Sequence, residues 1–230
     1  MSRFNSARRL GAIPAVQAAP ALPRNTVLHG DCIQVMAALP ADSVDFVLTD
    51  PPYVCRYRSR EGLTVANDDR TDWLEPAFAE IYRLLRDDSL CVSFYGWQHA
   101  DAFMCAWRAA GFRPVAHLVF PKRYGSSVGT FEARHEQAYV LAKGRRPRIA
   151  SPIPDVLPWA YTGNRLHSTQ KPLEALTPII AALTRPGDLV LDPFCGSGST
   201  LAAALKLSRD YLGVELDAGH AATARHRLGG

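Results

Sequence analysis

Short apolar runs alternate along the chain with longer stretches whose apolar residues recur at helical spacing. This pattern predicts α/β architecture around a mostly parallel sheet. Strands are expected at Thr26–Leu28, Val44–Leu48, Leu90–Phe94, Pro114–Phe120, Gln137–Leu141, Leu189–Leu191 and Tyr211–Val214. Val44-Asp45-Phe46-Val47-Leu48 is nearly continuous in apolar residues, as a strand buried on both faces requires. Trp73, Ala77, Phe78, Ile81, Leu84 and Leu85 share one helical face, and a second helix is expected over Ala100–Ala110, stopped by Gly111. A third runs through Ile179, Ile180 and Leu183. Thr177 is its expected N-cap and Pro178 its first helical residue, where a missing N–H costs nothing. Two more follow, one from about Ser199 and one over Ala218–Leu228. Val54–Arg70 and the Pro-rich Arg145–Thr169 lack such a period and read as loops on the ligand-bearing edge of the sheet.

Composition narrows this picture. The 230 residues fit one domain, and 47% hydrophobic with 21% charged residues is an ordinary globular balance. No apolar run is long enough to span a membrane. The five cysteines (Cys32, Cys55, Cys91, Cys105 and Cys195) form no Cys-x-x-Cys pair, so reduced thiols, a cytoplasmic setting and no metal site are expected. Residues 1–24 carry Arg3, Arg8 and Arg9, and Pro14, Gln17 and Pro20 break their apolar part. They read as a disordered basic tail rather than a secretory leader, ahead of a single domain over 25–230.

Three segments carry chemistry. Thr49-Asp50-Pro51-Pro52-Tyr53 directly follows a buried strand, where open α/β sheets hold their ligands. Pro51 and Pro52 fix the backbone and remove two donors. Asp50 and the Pro51 carbonyl can accept the two hydrogens of an exocyclic amino group, and Tyr53 can stack on the attached ring. A Pro-Pro turn capped by Asp is the plainer alternative. Asp192-Pro193-Phe194-Cys195-Gly196-Ser197-Gly198 follows a short strand and opens a helix, whose N-terminus favours a carboxylate. A dinucleotide loop needs Gly or Ala where Leu201 stands, and a ligand-free strand–turn–helix connection is the other alternative. Glu215 then ends the next strand, placed to accept hydrogen bonds from ribose hydroxyls.

Taken in order, these segments resemble the β group of DNA amino-methyltransferases, the adenine-N6 and cytosine-N4 enzymes. Asp-Pro-Pro-Tyr comes first and the glycine loop last. His167-Ser168-Thr169-Gln170-Lys171-Pro172 precedes the glycine loop, and Gly30-Asp31-Cys32 stands near the start. The match runs from about Val27 to Leu228, with Ser168 where the family often has Pro. The resemblance implies a class I S-adenosylmethionine-dependent fold: seven strands, one antiparallel, with circularly permuted motif order. It implies S-adenosyl-L-methionine as cofactor, with Asp192, Phe194, Gly196 and Gly198 on the methionine side. Glu215 goes to the ribose, Asp31 to the adenine, and Thr169 and Lys171 near the methionine carboxylate. The implied partner is double-stranded DNA, a homodimer being a further option. Asp rather than Ser at position 50 favours adenine N6 over cytosine N4. Methylation of protein glutamine or of RNA is the rival activity, and a catalytically dead DNA-binding module the rival without one.

The net charge of +4 is mild, but its distribution is uneven. Seven basic residues (Lys122, Arg123, Arg134, Lys143, Arg145, Arg146 and Arg148) face two acidic ones between positions 122 and 148. Arg56, Arg58 and Arg60 follow the tetrapeptide. Both clusters read as phosphate contacts, with a solvated basic face as the alternative. The stretch from about 145 to 166 is short for a target-recognition segment.

Overall fold

The computed structural model describes residues 22–56, 65–125, 130–145, 147–149, 151–160 and 170–229. Seven strands appear where the apolar runs predict them: β1 (Thr26–His29), β2 (Val44–Thr49), β3 (Leu85–Phe94), β4 (Arg113–Pro121), β5 (His135–Ala142), β6 (Leu189–Asp192) and β7 (Asp210–Glu215). They form one sheet in the order β1-β7-β6-β2-β3-β5-β4. Neighbours from β1 through β3 pair in parallel, and β5 runs against both β3 and β4. Strand β3 begins five residues before the expected Leu90, because Leu85 already pairs with Val44 ahead of an irregularity in register.

Among the described residues, six α-helices cover the two faces. On one face lie α1 (Cys32–Ala37), α2 (Leu74–Leu84) and α3 (Ala100–Ala109); on the other lie α4 (Leu173–Leu183), α5 (Ser199–Lys206) and α6 (Ala218–Arg227). Alternate residues of the central strand feed both layers. Phe46 and Leu48 pack with α4 and α5, while Val44 and Val47 pack with α2. Phe78 of α2 meets Trp107 of α3 edge-on at 5.9 Å, which locks that layer.

Two helices depart from expectation. Helix α1 is only six residues long and is capped by Asp31, so its apolar period is too short to stand out. Helix α4 starts at Leu173 after an extended Pro172, which leaves Thr177 and Pro178 inside it. Burial of Ala175, Leu176, Ile179 and Ile180 outweighs the cost of an internal proline, about 3 kcal/mol. Pro178 deprives Glu174 of a carbonyl partner, and Glu174 is exposed.

The chain ahead of β1 is docked from Leu22 onward. Leu22 packs on the core, and Arg24 donates to Asp210 at 2.6 Å. Residues 1–21 of the expected tail lie outside the described residues. Part of the stretch read as a short target-recognition segment lines the edge of the sheet. The Val119 N–H donates to the Asp155 carbonyl at 2.8 Å and the Leu157 N–H to the Val119 carbonyl at 2.9 Å, which covers the open side of β4. No helix among the described residues is long and apolar enough to cross a membrane.

Lys143 does not join a phosphate-binding surface. Its ammonium is buried, 2.6 Å from the Leu85 carbonyl and 2.6 Å from Asp42 Oδ1. Lys143→Met therefore removes the partner of a buried carbonyl. Chemical denaturation should show a loss of about 1–3 kcal/mol in unfolding free energy. An unchanged midpoint would show that the ammonium contributes nothing net.

Candidate active site

The order of strands reverses between β6 and β2, and open α/β sheets leave a crevice beyond the strand ends at such a point. Strand β2 delivers Asp50 and β6 delivers Asp192 to that crevice. The two loops are joined beneath it. Asp192 is buried, and its Oδ1 accepts from the Thr49 hydroxyl at 2.9 Å and from the Phe194 N–H at 3.1 Å. The Thr200 hydroxyl of α5 also hydrogen-bonds to it.

Asp50 has two unlike oxygens. Oδ2 accepts a very short hydrogen bond from the Lys171 ammonium. Oδ1 is buried and has no hydrogen-bond partner among the described residues. A buried acceptor without a donor costs free energy, so Oδ1 marks a position suited to an incoming N–H. Burial pushes the Asp50 carboxyl above its ordinary range, against the pull of Lys171. The same ammonium lies 5.1 Å from the ring centroids of both Tyr53 and Phe94. The resemblance puts Lys171 near the methionine carboxylate; here its charge faces the tetrapeptide.

The tetrapeptide is held tightly against the end of β3. A Cβ on Gly96 would lie 2.4 Å from the Tyr53 carbonyl oxygen, so only glycine lets the loop approach this closely. Val54, buried and β-branched, adopts φ of 61°, a strained conformation of the kind that gathers at functional loops.

Tyr53 reaches Glu136 of β5, its hydroxyl donating to Oε2 at 3.3 Å. Lys122 donates to Glu136 Oε1 at 2.7 Å, with 2% of its side chain exposed. Lys122 is therefore a buried ion-pair partner and not the phosphate contact expected from the charge count. Burial opposes ionisation of Glu136, yet Lys171 and Lys122 hold its carboxyl below the usual range. Burial, then the Asp50 and Glu136 carboxylates, drive the Tyr53 phenol well above its ordinary value. Glu136, Phe94 and Gly96 were not singled out in the sequence. Glu136 stands between His135 and Gln137 at the polar start of β5, so the sequence offers no signal that sets it apart.

The second loop fits a nucleoside-bearing ligand. Gly196 and Gly198 have φ of 51° and 77°, and Gly198 opens α5. Glu215 Oε2 accepts from the Gly196 N–H at 2.8 Å and Oε1 from the Asp217 N–H at 2.9 Å. Each oxygen retains a further lone pair for a hydroxyl. Asp31 stands beside it, since the Gly30 N–H donates to the Glu215 carbonyl at 2.9 Å. One Asp31 oxygen caps α1 through Ile33 at 2.8 Å and Gln34 at 3.3 Å. Phe194 packs edge-on to Trp73 at 5.3 Å and borders the loop. A Cβ on Gly198 would meet Ala224 at 3.2 Å, so a larger residue there strains the backbone and pushes on α6.

Of the remaining expected basic contacts, Arg56 and Arg123 are exposed. Arg145 is largely exposed and pairs with Asp88 at 3.0 Å. Arg58, Arg146 and Thr169 lie outside the described residues, as do Arg60, His167 and Ser168.

Comparison with known proteins follows this geometry. A family model described as DNA methylase matches residues 44–226. "Putative methylase YubD" of Escherichia coli (strain K12) is 53% identical over 189 residues, covering 82% of this chain and 83% of that protein. DNA adenine methyltransferase YhdJ of the same organism is 27% identical, covering 88% of this chain and 82% of that protein. The M1.HpyAVI–SAM complex superposes with a TM-score of 0.71 at 22% identity, covering 88% and 98% of the two chains. PvuII DNA methyltransferase, cytosine-N4-specific, gives 0.71 at 18%, covering 87% and 85%. The fold is thus that of these methyltransferases.

Asp192 supplies a test by pH. Burial pushes its carboxyl up to about 7, against the hydrogen bonds from Thr200, the Phe194 N–H and Thr49. Between the ordinary carboxylate value of 3.8 and about 7, the folded protein holds a proton that the unfolded chain has released. Stability from this group is therefore lost as pH rises through that window. Asp192→Asn keeps a carbonyl acceptor and carries no charge. Its stability relative to the native protein should climb with pH, by up to about 1.4 kcal/mol per unit. Parallel stability–pH curves would refute this.

Proposed function

The chain belongs to the DNA methylase family, and from that footing we propose that it methylates adenine N6 in double-stranded DNA. The observation that carries the amino-group chemistry is the buried, unpartnered Oδ1 of Asp50 beside the Tyr53 ring. S-adenosyl-L-methionine supplies an already activated methyl group. Asp192, Phe194, Gly196 and Gly198 hold its methionine part, Glu215 its ribose and Asp31 its adenine, with Thr169 alongside.

What is left to the chain is positioning and charge control. The target base cannot be reached inside a duplex and is extruded, at a cost of a few kcal/mol. Stacking on Tyr53 returns about 1–3 kcal/mol of that. One amino hydrogen is accepted by Asp50 Oδ1 and the other by the Pro51 carbonyl, with Pro52 fixing the turn. Both bonds draw the nitrogen lone pair out of conjugation with the ring. The amino nitrogen would take the methyl from the sulfonium as the S–CH3 bond breaks and S-adenosylhomocysteine leaves as the neutral thioether, and the proton it loses would pass to Asp50, whose proton affinity burial raises. Lys171 holds the other oxygen, Oδ2, and leaves Oδ1 to the amino group. None of the five cysteines takes part.

Adenine is favoured by Asp rather than Ser at position 50 and by the named activity of YhdJ. The cytosine-N4 neighbour shares the fold, so cytosine N4 is the second reading. Arg56, Arg58, Arg123, Arg145 and Arg146 are proposed to meet phosphates, and Lys122 is withdrawn from that set. A cytoplasmic site of action alongside DNA accompanies this reading.

Asp50→Ala should lower methyl transfer to below a tenth of the native rate while S-adenosylhomocysteine still binds by calorimetry. Nucleoside mass spectrometry of treated DNA should show N6-methyladenine. N4-methylcytosine alone would transfer the activity to the second reading. Arg123→Glu should flatten the dependence of log affinity on log salt by about one unit per lost phosphate contact, and an unchanged slope would place Arg123 on a solvated face.

A further inference from the structure

Glu136 and Lys122 belong to neither the tetrapeptide nor the glycine loop. They stand at the root of the β4–β5 hairpin, whose two legs are fastened there by the Lys122 N–H to the Arg134 carbonyl at 2.7 Å. An ammonium with 2% side-chain exposure is costly to bury, and Glu136 Oε1 at 2.7 Å compensates it. Nothing about the hairpin itself calls for that expense. An apolar pair of similar volume would serve its packing as well or better.

What the pair supplies is a carboxylate fixed in place with one oxygen, Oε2, turned to the Tyr53 hydroxyl at 3.3 Å. The ring of Tyr53 is otherwise set by its backbone, which Gly96 holds against β3, by a second hydroxyl contact with the Asp50 carboxyl, and by the Lys171 ammonium at 5.1 Å from its centroid. A cation over a ring is not directional, and the Asp50 contact is the one that an incoming base competes for. The bond from the phenolic hydroxyl to Glu136 is then the directional handle on the ring. The charges around the ring also balance, with Asp50 and Glu136 against Lys171 and Lys122, so Glu136 can stay ionised without drawing Lys171 away.

We propose that Glu136, charge-balanced by Lys122, is a positioning residue for methyl transfer that acts through the Tyr53 hydroxyl and holds the ring in the plane on which the extruded base stacks. This rests on the methyltransferase reading above. It gives the antiparallel strand β5 a part in the reaction. Mutating the hairpin root should therefore change turnover and leave cofactor affinity alone.

The test is a set of full-length variants assayed for methyl transfer to DNA, with S-adenosylhomocysteine binding and thermal unfolding followed in parallel. Lys122→Met/Glu136→Leu removes the charge pair without orphaning either member. It should unfold no earlier than the native protein and bind S-adenosylhomocysteine within twofold, while kcat falls about tenfold, as expected for one lost hydrogen bond to a charged group. Lys122→Met/Glu136→Gln keeps an acceptor for Tyr53 alone and should recover kcat to within about threefold of the native value. In a Tyr53→Phe background, which has no hydroxyl to hold, the Leu double variant should lower kcat by less than twofold. A native kcat in the Leu double variant overturns the proposal, and so does an equal loss with and without the Tyr53 hydroxyl. No methylated product from the native protein would instead overturn the reading beneath it.

Discussion

The loop that carries Asp50 and the loop that carries the glycines meet on one buried carboxyl group, that of Asp192. Thr49 comes to Asp192 from β2, Phe194 from the turn after β6 and Thr200 from the first turn of α5. A carboxyl group in such a place is held by directional bonds, so its partners cannot drift separately. The distance between an amino group at Asp50 and a ligand on the glycine loop is then a property of the sheet. Two adjacent parallel strands fix it, and the flexibility of either loop has little say. That fits a reaction in which alignment supplies most of the acceleration.

The second theme is charge that is neutralised before any ligand arrives. Asp50 faces Lys171, Glu136 faces Lys122, and both pairs border Tyr53. A bare carboxylate in this crevice would take up a proton and lose its use as an acceptor. Lys171 pulls Asp50 toward its ionised form against burial, and its ammonium also lies over two aromatic rings.

Most of the frame was legible in the chain. Strands buried on both faces leave apolar runs that few other structures produce, and β2 and β6 were found within one residue. The tetrapeptide and the glycine loop were legible because prolines and glycines at a strand end constrain backbone in recognisable ways. Electrostatics were not. Counting charges between 122 and 148 put Lys122 and Lys143 on a DNA-facing surface, whereas both are buried and paired. Linear order does not say which basic residues meet a carboxylate across the fold. The start of α4 was misplaced for a related reason: a local capping rule at Thr177 lost to burial by the turn before it. Asp31 shows the overlap of roles, since one of its oxygens caps a helix beside Glu215.

The edge of the sheet formed by β1 and β7 joins residues from opposite ends of the chain, and the Arg225 guanidinium reaches the Val27 carbonyl across 198 positions. Closing so long a loop is entropically slow compared with forming the β4–β5 hairpin or docking α2 on α3. On a ribosome, β1 emerges first and waits for its partner until nearly all of the chain has followed. Asp31 and Glu215 come together only through that last pairing. The corner where Asp31 and Glu215 meet is thus assembled at the end of folding, and a nascent chain that stops short of β7 has its Asp50 loop in place but lacks the strand that brings Glu215 to it.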